Sequence, residues 1–452
     1  MCCARNMVRR RVAVRQLAFR TMNQLFVVAF VLLASISTAV ASEYEVRELG
    51  RDSANLLVTL KLPRQSQRVR ELVSRAQFLG LKSQILSPRC GKNLLRQRPV
   101  GVWAVPIGCT EVMWTVRAQR AVDGKVDVSA QSSVKFRNPP WFIFSEATSL
   151  LRLRDEDEPS TITMRGKSKH FSGIGATEIS DNVWRVPSLG NAPEFYALGE
   201  VRPTTRNVGP FVVRYVADDR ARVAGLGLGN LHEQALEFLA NVVPPAAALP
   251  PAERSLLVVW IGIDEAAGRA GGAAGSRSFV ANYVVGKSEN EALNAARTLA
   301  ILAHEQFHQL SDLARGSLPP LPTWLNESLA HYYGLKALQK AASSSASHSV
   351  YKRFIDPARP VTTGLLEFNR RYAANDRSVY SLFYEQGATF WSEVDSTIQA
   401  ATNGGSSLDQ LVPNLLRSVT PDNDGLPESF LASLHELIGV KADELLSRYV
   451  GN

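Results

Sequence analysis

The spacing of apolar residues changes once along this chain, near Asp218, and that change decides what it can fold into. Over 43–210 the sequence breaks into short runs rich in β-branched and aromatic residues: NLLVTLKL from Asn55, VGVWAVPI from Val100, VMWTVRAQ from Val112 and PFVVRYVA from Pro210. Gly, Pro, Asn and Asp separate these runs, which reads as strands joined by turns. Beyond Asp218 a helical stretch from Leu231 leads to two more strand-like runs, SLLVVWIGI from Ser255 and SFVANYVV from Ser278, with GRAGGAAGSRS between them. From Ser288 onward the apolar residues recur at helical spacing. The expected class is α+β: an all-β, sandwich-like N-terminal domain over 42–215, then a second domain over 216–452. That second domain holds strands in 216–287 and is mostly helical over 288–452. At 452 residues the chain is too long for one ordinary core, in keeping with more than one domain.

The start of the chain obeys different rules. Arg5, Arg9, Arg10, Arg11, Arg15 and Arg20 precede the apolar run LFVVAFVLLASIS from Leu25, no acidic residue occurs, and Ala39-Val40-Ala41 follows. This is the pattern of a secretory signal peptide over 1–41, cleaved after Ala41. The competing reading is a retained anchor, although about 13 strongly apolar residues are short for a membrane crossing. Export to the periplasm or the medium is expected, without stable membrane insertion after cleavage. Loss of six arginines lowers the formal charge from +9 to +3. No Lys/Arg cluster is interleaved with aromatics, so nucleic-acid binding is not expected. Of four cysteines, Cys2 and Cys3 leave with the signal. Cys90 and Cys109 then form a disulfide in an oxidising compartment, or remain as two buried thiols.

The densest chemistry lies in AHEQFHQL from Ala303. On a helix, His304 and His308 point to the same side, as two corners of a zinc tetrahedron would, and Glu305 stands beside them. Leu299, Leu302, Ala303, Phe307 and Leu310 would bury the remainder of that helix. A catalytic zinc site takes three protein ligands and keeps one position open. After eighteen intervening residues comes Glu327 in TWLNESLAHYYG, behind the turn LPPLP from Leu318, where a following helix can fold back onto the same ion. The bland alternative is a pair of surface histidines satisfied by water.

H-E-x-x-H, eighteen residues, then Glu in a W-L-N-E-x-x-A setting resembles the gluzincin metallopeptidases, among them aminopeptidase N. LAHEQFHQL and WLNESLAHYYG are most similar to the bacterial glycyl aminopeptidase family. The resemblance implies a thermolysin-like catalytic domain and one Zn2+ per chain, held by His304, His308 and Glu327. It makes Glu305 the general base and Tyr384, in SLFYEQGATFW, the donor that steadies the oxyanion. Gln386 stands where these families carry lysine. Asn326 is a candidate to orient a ligand histidine, or a helix cap. His331 and Trp324 read better as packing residues.

The resemblance fails at one point. Aminopeptidases of both families place an acid on a Gly-rich strand before the zinc helix, where it grips the substrate's free amino group. The corresponding stretch here is GGAAGSRS, which makes Gly271, Gly272 and Ser278 candidate substrate-binding residues. Ala274 and Gly275 occupy the acid's neighbourhood, while Glu265 and Glu289 lie outside the motif. Substrate backbone is expected along SRSFVANYV. The leading expectation is an exported zinc peptidase acting on peptides or proteins, as aminopeptidase or endopeptidase. The other is a non-catalytic peptide- or partner-binding protein of the cell envelope on a metallopeptidase scaffold.

Overall fold

Strands in the N-terminal half fall into two burial patterns, each dictated by what covers them. The computed structural model describes residues 42–62, 69–156, 159–245, 249–264, 271–285 and 290–451; the expected signal peptide, Glu265 and Glu289 lie outside these described residues. Glu43–Glu48, Asn55–Lys61 and Glu111–Arg117 alternate buried with open positions, as strands with one wet face do. They belong to an eight-stranded sheet. Trp141–Ser145 and Phe195–Gly199 are buried at every position, which requires cover on both faces. Their five-stranded sheet is a middle layer. Phe142, Phe144, Tyr196 and Leu198 join a core with Val46, Val58 and Trp114 of the large sheet and Leu72 and Trp103 of a smaller, four-stranded one. Trp141, Ile143, Phe195 and Ala197 instead face Val216, Leu257, Val259, Ile261 and Val280. The expected two-layer sandwich is thus elaborated into three sheets.

A further five-stranded sheet follows, in the order Thr204–Val208, Phe211–Ala217, Ser255–Asp264, Ser278–Val285, Gly272–Ala274. Phe211–Ala217, inside the N-terminal half by sequence, pairs in parallel with Ser255–Asp264, and that strand pairs in parallel with Ser278–Val285. One face of this sheet meets the middle layer. On the other, Val258, Trp260, Phe279 and Ala281 pack with Leu236 and Leu239 of the Leu228–Val242 helix and with Leu299, Leu302, Ala303, Phe307 and Leu310. Ser278–Val285 is paired throughout on one side and at Phe279–Ala281 on the other, so substrate cannot add at those residues, contrary to the expectation for SRSFVANYV. The sheet's two edges are Thr204–Val208 and, beside Ser278–Val285, the short strand Gly272–Ala274.

Two long helices, Glu291–Arg315 and Thr323–Ala341, carry the candidate residues. They touch at Gly334, where a Cβ would stand 2.9 Å from both Ala300 O and His304 N. Phe307 stacks on Tyr333 at 5.0 Å. Buried polar groups fix the first helix to the sheet. Gln309 Nε2 donates to Gly275 O (2.9 Å) and Ser278 O (2.8 Å), and Gln306 Nε2 donates to Gln309 Oε1 at 2.8 Å. Gln306 Oε1 meets His232 Nε2 at 3.3 Å, and His232 Nδ1 meets the Tyr215 hydroxyl at 2.8 Å. Burial pushes His232 down to about 4, leaving it neutral near pH 7. From the N-terminal half, Glu194 accepts from Arg277 N at 2.7 Å and from the Ser278 hydroxyl. Burial pushes its carboxyl up to about 8 despite these bonds.

Cys90 and Cys109 are joined as a disulfide. No helix among the described residues is long and apolar enough to cross a membrane.

The glycine contact gives a direct test. Gly334→Ala forces the two helices apart against backbone atoms, at a cost of about 1–3 kcal/mol. Urea unfolding of the metal-free protein should show the lower midpoint; an unchanged midpoint would mean the helices are not held at this separation.

Candidate metal centre

His304 and His308 sit one turn apart on the first long helix, on the side away from its apolar stripe. Glu327 lies in the first turns of the second. The structure brings all three together, with their donor atoms within 4.8 Å of one another. His304 Nε2 and His308 Nε2 are 3.0 Å apart, and Glu327 Oε2 lies 3.4 Å from the first and 3.6 Å from the second. A tetrahedral ion with bonds of about 2.0–2.1 Å sets its donors about 3.3 Å apart, so the set fits a divalent zinc-like ion. Two imidazoles and one carboxylate also match the donor chemistry of such a site.

Asn326 Oδ1 stands 3.2 Å from His308 Nδ1. A proton on Nδ1 satisfies that contact and leaves the Nε2 lone pair for a metal. Among the described residues His304 Nδ1 is buried with no hydrogen-bond partner. Burial works against charge at both His308 and Glu327, yet their mutual contacts prevail. Hydrogen bonding and charge from Glu327 raise His308 to about 9, and the two histidines hold Glu327 well below the usual carboxylate range.

The donors line a cavity of about 310 Å³ together with Glu305, Gln309, Asp312, Asn326, Tyr380, Tyr384, Ala192, Ala274 and Gly275. Tyr384 donates to Glu327 Oε2 at 3.2 Å from within a π-helical turn, Phe383–Gly387, a local widening that recurs at functional sites. Burial, then the Glu327 charge, pushes its phenol far above the ordinary range; it remains a donor.

The other sequence candidates sit elsewhere. Ser278 is fully buried and accepts from Phe195 N at 2.7 Å, so its hydroxyl is not offered to the cavity. Gly271 and Gly272 do not line the cavity; Ala274 and Gly275 do. His331 packs against Phe354 (4.3 Å between ring centres), Tyr384 (4.9 Å) and the donor His304 (5.6 Å), and is not itself one of the three donors. Trp324 is buried over Trp391, its indole on Asp424 O. Gln386 turns to Thr363 O and Tyr449 O. Four lining residues went unread in the sequence, Gln309 among them. Asp312 follows His308 by one helical turn and Tyr380 precedes Tyr384 by one, so the same spacing rule could have found both. Ala192 comes from the N-terminal half, and no local signal marks it.

No protein-family model matches this chain, and no curated protein does. Among solved structures, an aminopeptidase N family protein from Idiomarina loihiensis is similar, with a TM-score of 0.64 over 91% of this chain and 76% of that one, at 11% identity. An M1 zinc metallopeptidase from Deinococcus radiodurans, a mutant bound to a Tyr-Ser-Ala substrate, aligns with a TM-score of 0.45 over 91% of this chain and 93% of that one, at 14% identity. At these identities the first likeness is one of fold: β-rich sheets followed by a helical part, as in that aminopeptidase N family protein.

Proton and metal compete for the same lone pair on His308, so its raised value weakens metal binding near neutrality. Apparent zinc affinity, measured against a chromophoric chelator, should climb about tenfold per pH unit towards about 9 and then level off. A flat profile over that window would mean that His308 is not held protonated in the metal-free protein.

Proposed function

We propose that this chain is an exported, zinc-dependent peptidase of gluzincin type. The observation that carries the reading is the convergence of His304, His308 and Glu327 on one point of a cavity wall that also bears Glu305 and Tyr384. His304, His308 and Glu327 would hold the ion, which when bound supplies a Lewis acid that polarises a peptide carbonyl and lowers the pKa of a water. Glu305, whose carboxylate lines the same cavity, takes the proton from the attacking water and delivers it to the leaving amine. Tyr384 donates its phenolic hydrogen to the oxygen that gains charge. Asn326 holds the His308 ring in orientation. An extended peptide lies against Gly272–Ala274, an open sheet edge, where backbone groups can pair with it.

The motif wording WLNESLAHYYG supports the glycyl aminopeptidase branch and a thermolysin-like second domain over 216–452, with 42–215 as a β-rich partner domain. The Cys90–Cys109 disulfide and the basic, then apolar, start of the sequence support export to an oxidising compartment. A second reading, peptide binding without turnover, draws on Gly275. A Cβ there would stand 2.2 Å from Pro193 O, so the chain cannot carry an acid at that position, just past the strand Gly272–Ala274.

Glu305→Gln keeps a hydrogen-bonding side chain but removes the base. It should lower kcat on a peptide substrate by about a thousandfold or more while the protein still binds one zinc. Tyr384→Phe should lower kcat by about a hundredfold with little change in KM. Equal turnover by wild type and both variants would assign any activity to a contaminant. Zinc binding with no turnover in wild type would favour the binding reading.

A further inference from the structure

The chain just past the edge strand leaves no room for an acid at Gly275, yet the cavity does contain a carboxylate that the proposed chemistry leaves unused. Asp312 lines it together with Gly275 and Ala192, one turn beyond His308 on the same helix face. Glu327 is engaged by His304, His308 and Tyr384, and Glu305 stands beside them as the base. Asp312, by contrast, has no hydrogen-bond or ion-pair partner for its carboxylate among the described residues. Along its helix His308, one turn before, and Arg315, one turn after, act on it through charge alone; His308 faces Glu327, and Arg315 is buried and spent elsewhere, Nε donating to Pro319 O at 3.1 Å and Nη1 to Leu416 O at 2.7 Å.

Asp312 is exposed at the cavity wall, so its carboxylate stays open to an incoming group. A ligand that brings a positive charge there can form charge-assisted hydrogen bonds, which are the strong kind. We infer that Asp312 is a specificity-determining residue that binds a cationic group of the substrate next to the scissile bond, supplying from the helix the charge that the chain at Gly275 cannot carry. The inference rests on the peptidase reading above. An α-ammonium at a free N-terminus and a lysine or arginine side chain share this chemistry. The preferred substrates are peptides bearing one of these groups, and capped neutral peptides are poor ones.

The test uses the zinc-loaded full chain and four probes: the peptide Ala-Ala-Leu-Ala, its N-acetyl form, and N-acetyl forms with lysine or norleucine in place of leucine. Wild type should favour the free over the acetylated peptide if the α-ammonium is bound, or lysine over norleucine if the side chain is. In Asp312→Asn, that charged-over-uncharged ratio of kcat/KM should fall by about tenfold to a hundredfold. Asp312→Lys, a second variant, should invert it. Zinc content and thermal midpoint exclude misfolding as the cause. A ratio unchanged in both variants, or no charge preference in wild type, overturns the inference. If wild type cleaves none of the four, the peptidase reading is what fails. Calorimetry with the same peptides on zinc-loaded wild type and Asp312→Asn then decides: a charge-dependent loss of binding upholds the role of Asp312, and equal binding ends it.

Discussion

Gly334 lets the Thr323–Ala341 helix settle directly onto Ala300 and His304, and this approach sets how far Glu327 stands from the two imidazoles. A side chain at that point would push the helices apart by several tenths of an ångström. The donor separations of 3.0–3.6 Å leave little tolerance for that. The first helix is in turn held to the sheet by Gln309, which binds two carbonyls at the Gly275–Ser278 turn. A rigid sheet therefore positions a helix, the helix positions two histidines, and a missing side chain admits the carboxylate. Such support from behind is what holds a constellation to bonding tolerance.

The β-rich half takes part in this arrangement rather than standing beside it. Its middle sheet is covered on both faces, which explains why WFIFS and FYALG show no polar alternation. The chain leading into Phe195–Gly199 passes the Gly275 turn, where Glu194 binds Arg277 N and the Ser278 hydroxyl, and where Ala192 walls the cavity. Glu194 gives up hydration to do so, and that burial pushes its carboxyl up to about 8. The turn is thus gripped from two sides, by Gln309 and by Glu194. Pro193 O is the atom that leaves Gly275 no space for a side chain.

What the sequence made legible follows from periodicity. Spacing of three and four placed Leu299, Leu302, Ala303, Phe307 and Leu310 in the core, and all are buried. The same spacing put His304 and His308 on one side, and the Pro-rich turn before Thr323 announced a returning helix. Features that depend on distant segments were not legible. Gly272–Ala274 is three residues long and carries no strand signature, so the longer run beside it, SRSFVANYV, drew the substrate expectation. Ser278 looked available only because nothing in its neighbourhood announces Glu194. The π-helical turn at Phe383–Gly387 has no local sequence rule behind it. Gln386, read as a departure from a motif, is explained by its bonds to Thr363 O and Tyr449 O.

The charge inventory of the cavity connects the proposed chemistry with substrate choice. Glu305, Asp312 and Glu327 all line it, and Lys and Arg are missing from that lining. A divalent ion would offset two of these three charges, leaving a net negative wall in a recess where solvent screens weakly. That residual charge opposes binding of an anionic peptide and favours a cationic one. It also keeps the Tyr384 phenol protonated, because forming a phenolate beside carboxylates in a buried setting costs too much. The acid proposed to select for positive charge and the phenol proposed to steady a developing negative one would therefore share one electrostatic environment.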